Sequence, residues 1–215
     1  MNKILFLDTL TTGMNPERCA IYRLGGVFCE DTPDGIEEKK RFELFVRPFE
    51  TARISENSLW TGGVTRSHLI YFPEQSEAFK DFIRLTDERV NIRNSRDKIY
   101  IAGFNTSSFD VPFLVNWFIK NGDNRFRDRF YVQTLDIMSL AAFALIEERQ
   151  GMPDFHLETA AKALGVCPTK NSSYSCLDNA LTCIDMYRSL KTRLKVGDNN
   201  KYITVDDTYL NHNFK

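Results

Sequence analysis

The chain has 215 residues, of which 42% are hydrophobic and 27% charged, which excludes disordered, collagen-like and low-complexity classes and is enough for one ordinary domain with a sizeable core. Twenty-eight Lys and Arg against 29 Asp and Glu give a net charge of −1. A basic nucleic-acid coat is therefore excluded, and any nucleic-acid contact must come from a local patch.

Residues 3–8 form a nearly continuous apolar run closed by Asp8, the pattern of a central strand covered on both faces. Turn chemistry follows at residues 11–16, a second strand is expected over 19–28, a turn over 31–35, and a third strand over 41–46. These three are expected to form an antiparallel meander. Residues 55–67 read as loop with a short helix, and 73–86 as a helix with Pro73 at its start. A strand is expected over 99–103, a helix over 108–120 stopped by Asn121-Gly122, a strand over 132–135, and helices over 137–148, 157–164 and 177–194. Strands followed by alternating strands and helices predict one mixed-sheet α/β domain over 1–195, with a polar tail over 196–215.

Five cysteines, an odd number with no C-x-x-C, and only three histidines argue against a zinc site and for free thiols in a reducing compartment. The opening apolar run is too short for a secretion signal or a membrane span. The expectation is a soluble, cytoplasmic protein with no membrane partner.

Three constellations could carry chemistry. Asp8-Thr-Leu10-Thr-Thr-Gly13 ends the first strand, where open α/β sheets place ligands. Gly103-Phe-Asn105-Thr-Ser-Ser-Phe109-Asp110 leads from a strand into a helix whose first turn favours an acid. Tyr174-Ser-Cys-Leu-Asp178-Asn179-Ala180 opens the last helix. Taken singly, each is also explained as strand-end, helix-start or surface chemistry.

Together they resemble the DnaQ-like branch of the DEDD 3′-5′ exonucleases. That family's F-x-D-x-E-T-T-G is similar to residues 6–13, its G-x-N-x-x-F-D-x-x-F-L to 103–114 with one extra residue, and its G-I-T-x-x-x-L to 63–69. Its D-T-L-x-L is similar to 135–140, its L-x-x-x-A-x-x-L-G to 157–165, and its H-x-A-x-x-D-A to 174–180. The resemblance covers residues 3–190 and implies a ribonuclease-H-like mixed five-stranded sheet flanked by helices. It implies a site in which four carboxylates hold two divalent metals at a 3′-terminal phosphodiester, with Mg²⁺ or Mn²⁺ as the ions and a histidine as base.

The departures bear on activity. Strand period places residue 10 on the face of Asp8, and it is Leu where the family has Glu. Asn179 stands at the family's last Asp and Tyr174 at its His; a phenol with a pKa of about 10 is a poor base. Asp178 lies about 100° round the helix from Asn179, so rescue by it is disfavoured. Asp136 is expected to act from outside the site. Asp8 and Asp110 remain as the catalytic and metal-binding carboxylates, which favours one bound ion over two, or none. Leu10, Thr11, Asn105 and Phe109 are the expected substrate contacts. The reading is a protein that binds a nucleic-acid 3′ end with weak or lost nuclease activity, DNA or RNA left open, a protein partner being a further expectation. The alternatives are an active exonuclease with a rearranged site, or an enzyme deliberately inactivated. The basic runs 84–98 and 125–129 are expected to be solvated faces, or else a phosphate-binding strip.

Overall fold

The computed structural model describes residues 1–170 and 175–196; Tyr174 and the tail beyond Val196 lie outside the described residues. Five strands, β1 (Asn2–Thr11), β2 (Ile21–Thr32), β3 (Gly35–Phe45), β4 (Ile99–Gly103) and β5 (Leu135–Asp136), form one sheet in the order β3-β2-β1-β4-β5. The first three make the expected antiparallel meander. β4 runs parallel to β1, and β5 parallel to β4. Helices α1 (Glu56–Thr61), α2 (Arg66–Leu69) and α3 (Gln75–Asp87) fill the connection from β3 to β4. Helices α4 (Asp110–Lys120) and α5 (Phe126–Arg129) lead to β5, and α6 (Ile137–Ala144), α7 (Leu157–Ala163) and α8 (Cys176–Val196) complete the described chain.

β1 reads as unbroken apolar sequence because helices cover both of its faces. Leu5 and Leu7 pack with Phe79 and Phe82 of α3 and with Phe113, Leu114 and Trp117 of α4. Ile4 and Phe6, one residue out of phase, pack with Ile137 and Ala141 of α6, Ala160 and Ala161 of α7, and Ala180 and Ile184 of α8. The small alanines let the helices on that side approach the sheet closely.

Several expected boundaries move. β3 begins at Gly35 rather than 41, because a tight turn at Pro33-Asp34 joins it directly to β2. Its outer half, Glu37 to Arg41, is charged because it is the edge of the sheet, where charge blocks pairing with another chain. The strand expected over 132–135 contracts to Leu135–Asp136, and α6 stops at Ala144, with a 3₁₀ turn at Arg149–Gly151 beyond it. Leu145 leaves the helix to fill the core. Helix α5 was not expected.

Arg129, at the end of α5, corrects the reading of 125–129 as a surface cluster. Its side chain is fully buried, paired with both oxygens of Asp87 at 2.7 and 3.2 Å and lying 3.5 Å from Asp123. It ties α5 to the end of α3. Asp87→Ala strands this buried guanidinium and should cost about 3 kcal/mol in urea unfolding. Arg84→Ala, which removes only the exposed pairs to Asp81 and Glu88, should stay within about 0.5 kcal/mol of the wild type.

Candidate active site

The carboxyl ends of β1, β4 and β5 lie at one edge of the sheet. Asp8 sits there half-buried, on the face of β1 that carries Ile4 and Phe6. Its cross-strand partner is Gly25. A Cβ at Gly25 would lie 2.6 Å from the Leu177 nitrogen and 2.7 Å from Cys176 Cβ. Glycine there lets the first turn of α8 settle against β2 beside Asp8.

Helix α8 turns its 176/179/183 stripe toward this corner, a spacing of three and four residues that defines one helix face. Asn179 is exposed and donates from Nδ2 to Asp8 Oδ2 at 3.1 Å. The Cys176 thiol, which donates to the Arg23 carbonyl at 3.9 Å, also lowers the Asp8 carboxyl. Asp178 is buried away from that face; its N–H donates to Ser175 Oγ at 3.2 Å and its carbonyl accepts from the Thr182 hydroxyl at 2.9 Å. Asn179, not Asp178, therefore meets Asp8.

Asp110 is buried in the first turn of α4 and accepts from Thr9 Oγ1 at 2.6 Å. The turn that delivers it contains Asn105 with φ 64°, a left-handed conformation that asparagine tolerates better than most residues. The Asn105 carbonyl accepts from the N–H groups of Ser108 and Phe109. Asp136 clamps the same turn from β5. One of its oxygens accepts from the Ser107 N–H at 3.0 Å and hydroxyl at 2.6 Å, and the other caps α6 through Met138 N–H at 3.0 Å. Asp136 is thus committed to positioning.

Burial raises the Asp110 carboxyl well above the ordinary carboxylate range, the nearby charge of Asp8 raises it further, and the Thr9 hydrogen bond offsets part of this. Burial also raises Asp8, opposed by the hydrogen bonds from Asn179 and Cys176 and by the charge of Arg23. Burial holds the Cys176 and Cys183 thiols protonated, and the neighbouring carboxylates reinforce it, so neither is a nucleophile.

Leu10 is half-buried at the margin of a small apolar cluster formed by Tyr22, Leu59 and Leu69. Thr11 is buried, and its hydroxyl donates to the Gly13 carbonyl at 2.7 Å, so that side chain serves the turn. Asn105 is exposed at the mouth. Phe109 is half-buried, its ring 5.1 Å from that of Phe113 at the core edge. Arg93, Arg96 and Lys98 lie before β4, at the opposite end of the sheet from Asp8. Sequence reasoning missed Arg23 and Cys176. Arg23 is the cross-strand partner of Leu10 and grips Glu43 with two 3.0 Å hydrogen bonds, a pairing visible only once the strand register is known.

Asp8 and Asp110 bring the carboxylate oxygens that a hard divalent cation takes. Among the described residues no group of three or more His, Cys, Asp or Glu could hold an ion, and Leu10 and the Asn179 amide bring no charge.

No family model and no curated protein matches the sequence. Solved structures do. E. coli exonuclease I in complex with a dT13 oligonucleotide superimposes with a TM-score of 0.69 at 18% identity, over 91% of this chain and 42% of that one. Product-bound exonuclease I gives 0.68 at 19% identity over 91% and 45%, and the zinc-bound form of the E. coli exonuclease I–ssDNA complex gives 0.70 at 18% over 91% and 41%. The likeness establishes the ribonuclease-H-like fold. The chain spans less than half the length of these exonucleases.

The raised carboxyls set a pH dependence. The folded state holds protons that the unfolded state releases from about pH 4 upward, so metal-free stability should fall as pH rises from there through the raised values. Asp110→Asn should raise the melting temperature at about pH 8, by about 2–4 °C per kcal/mol of relieved cost, and raise it clearly less at about pH 5, where Asp110 keeps its proton in the folded state. A thermal melt at both pH values in EDTA checks this; equal shifts at both would contradict the raised carboxyl.

Proposed function

We propose that this protein binds the 3′ end of a single-stranded nucleic acid and has weak or no nuclease activity. One observation carries the reading: the site joins two carboxylates, Asp8 and Asp110, while Asn179 occupies the third corner as a neutral amide already bonded to Asp8. In this reading Leu10 packs against the terminal base or sugar, Asn105 meets the backbone at the mouth, and Phe109 offers a ring edge to a base. A single Mg²⁺ or Mn²⁺ held by Asp8 and Asp110 would supply positive charge toward a phosphate. Asn179 holds Asp8 in place but cannot take a proton from water. Asp178 lies about 100° round the helix from Asn179, which bears against its completing the site.

Five unpaired cysteines fit a reducing compartment, and no described helix is long and apolar enough to cross a membrane. A cytoplasmic location belongs to the same proposal, as does a protein partner.

A labelled dT oligonucleotide and its rU counterpart, titrated with Mg²⁺ or Mn²⁺, test the reading by scoring digestion and binding together. Binding should weaken with salt, depend little on the metal, and be accompanied by little digestion. Leu10→Glu with Asn179→Asp should raise digestion by more than the product of the single effects, since ligands of one site act as a unit. Robust metal-dependent digestion by the unmodified chain would overturn the loss of activity. Absence of single-strand binding at low salt would overturn the whole reading.

A further inference from the structure

The connection from β3 to β4 displays two aromatic side chains almost wholly to solvent, Trp60 and Tyr71, each 81% exposed, with Ile70 beside them. This is not a loose segment. Leu59 and Leu69, the chain neighbours of Trp60 and Ile70, are buried with Tyr22 in the cluster against which Leu10 packs. The Ser55 N–H donates to the Thr12 carbonyl at 2.8 Å, and the Tyr22 hydroxyl donates to the Ser58 carbonyl at 3.3 Å. A Cβ at Gly62 would stand 2.9 Å from Leu10 Cδ1, so the end of α1 lies directly over Leu10. Trp60 is thus a large flat ring held on a rigid, anchored turn next to the carboxylate corner, with its faces open. A tryptophan in that state lacks a partner, since the type is buried on average.

The charge around it narrows the partner. Arg18 and Arg53 are exposed on adjoining segments joined by the 2.7 Å bond from Arg53 N–H to the Arg18 carbonyl, and Thr12 Oγ1 donates to the Arg53 carbonyl at 2.7 Å. Among the described residues neither guanidinium has a carboxylate partner, whereas Arg66 nearby is paired with Glu56. An open aromatic face on a connection whose adjoining segments carry two guanidinium groups without carboxylate partners among the described residues suits a ligand that alternates flat rings with anionic links.

We propose that Trp60 is a stacking platform for a base of the bound single strand upstream of its 3′ end, with Arg18 and Arg53 meeting its phosphates. This rests on the function proposed above and extends the contact surface beyond Leu10, Asn105 and Phe109. The protein carries its own reporter: of its two tryptophans, Trp117 is only 3% exposed in the core and Trp60 is the exposed one.

Intrinsic fluorescence titrated with an unlabelled dT oligonucleotide tests it, with affinity measured in parallel by anisotropy of a labelled strand. Stacking should quench the wild-type emission. Trp60→Ala should abolish the quench and weaken binding about tenfold, with the melting temperature unchanged, and Trp60→Phe should recover part of the affinity. Arg18→Ala with Arg53→Ala should reduce the slope of log affinity against log salt by about 1.4, the single-strand value for two phosphate contacts. Wild-type binding that Trp60→Ala leaves undiminished overturns the inference and spares the proposed function. No wild-type binding overturns both. Concentration-dependent self-association lost in Trp60→Ala, with strand binding intact, overturns it in favour of a protein contact at this patch.

Discussion

Asp8 and Asp110 are two acids held near each other, each with its carboxyl raised by burial and Asp110 raised further by Asp8, and the surrounding architecture is arranged around that placement. Each acid is delivered by a different element, one by the end of β1 and the other by the first turn of α4. Their immediate supports are neutral: the Thr9 hydroxyl on Asp110, the Asn179 amide and Cys176 thiol on Asp8. Neutral donors orient a carboxylate and lower its pKa, but they do not cancel its charge. The corner therefore retains an affinity for something positive, whether a proton or a cation. The outer supports follow the same logic. Asp136 spends its oxygens on the 105–109 turn and on the cap of α6, and Gly25 gives up a side chain so that α8 can reach Asp8.

Leu10 and Asn179 change this corner in opposite ways. Leucine at position 10 removes a possible charge and gains packing: it links the end of β1 to the Tyr22, Leu59 and Leu69 cluster and so anchors the connection that displays Trp60. A carboxylate there would have to turn away from that cluster or be desolvated against it. Asn179 gains no packing, being exposed, but it keeps the hydrogen-bonding geometry of the site by donating where a carboxylate would repel Asp8. Leu10 sets what the surface can touch; Asn179 keeps Asp8 oriented without adding a charge.

What could be read from the sequence follows from how local each signal is. β1 and β4 were legible because a strand buried on both faces must be apolar throughout, whereas Asp8 and Asp110 stood out only through the combined resemblance of three motifs, since strand-end and helix-start chemistry explains each one singly. The placing of Asn179 at the site came from the family resemblance of 174–180, with helical phase arguing only against Asp178; its bond to Asp8 is a tertiary fact. The outer half of β3 was not legible, because an edge strand replaces the apolar signal with charge. Arg129 was not, because its partner Asp87 lies 42 residues away and a basic run looks the same solvated or buried. Arg23 and Cys176 beside Asp8 depend on strand register and on the landing point of α8, which are tertiary facts.

The distribution of charge decides what kind of binding the site can support. A chain of net charge −1 has no general attraction for phosphate, so position matters more than number. Arg93, Arg96 and Lys98 precede β4, and Lys3 of β1 is the register partner of Ile99, so these cations lie about five strand residues, roughly 17 Å, from Asp8 at the far end of the sheet. That is about two Debye lengths at physiological salt, too far for them to steer a strand end into the corner. On the near side, Arg23 already grips Glu43, which leaves Arg18 and Arg53 as the cations that a strand approaching Leu10 would meet first. Two charges cannot supply the affinity of a phosphate-tracking groove. The remainder has to come from rings and apolar surface, and the end of the sheet that carries Asp8 is also the end where Leu10, Phe109 and Trp60 lie.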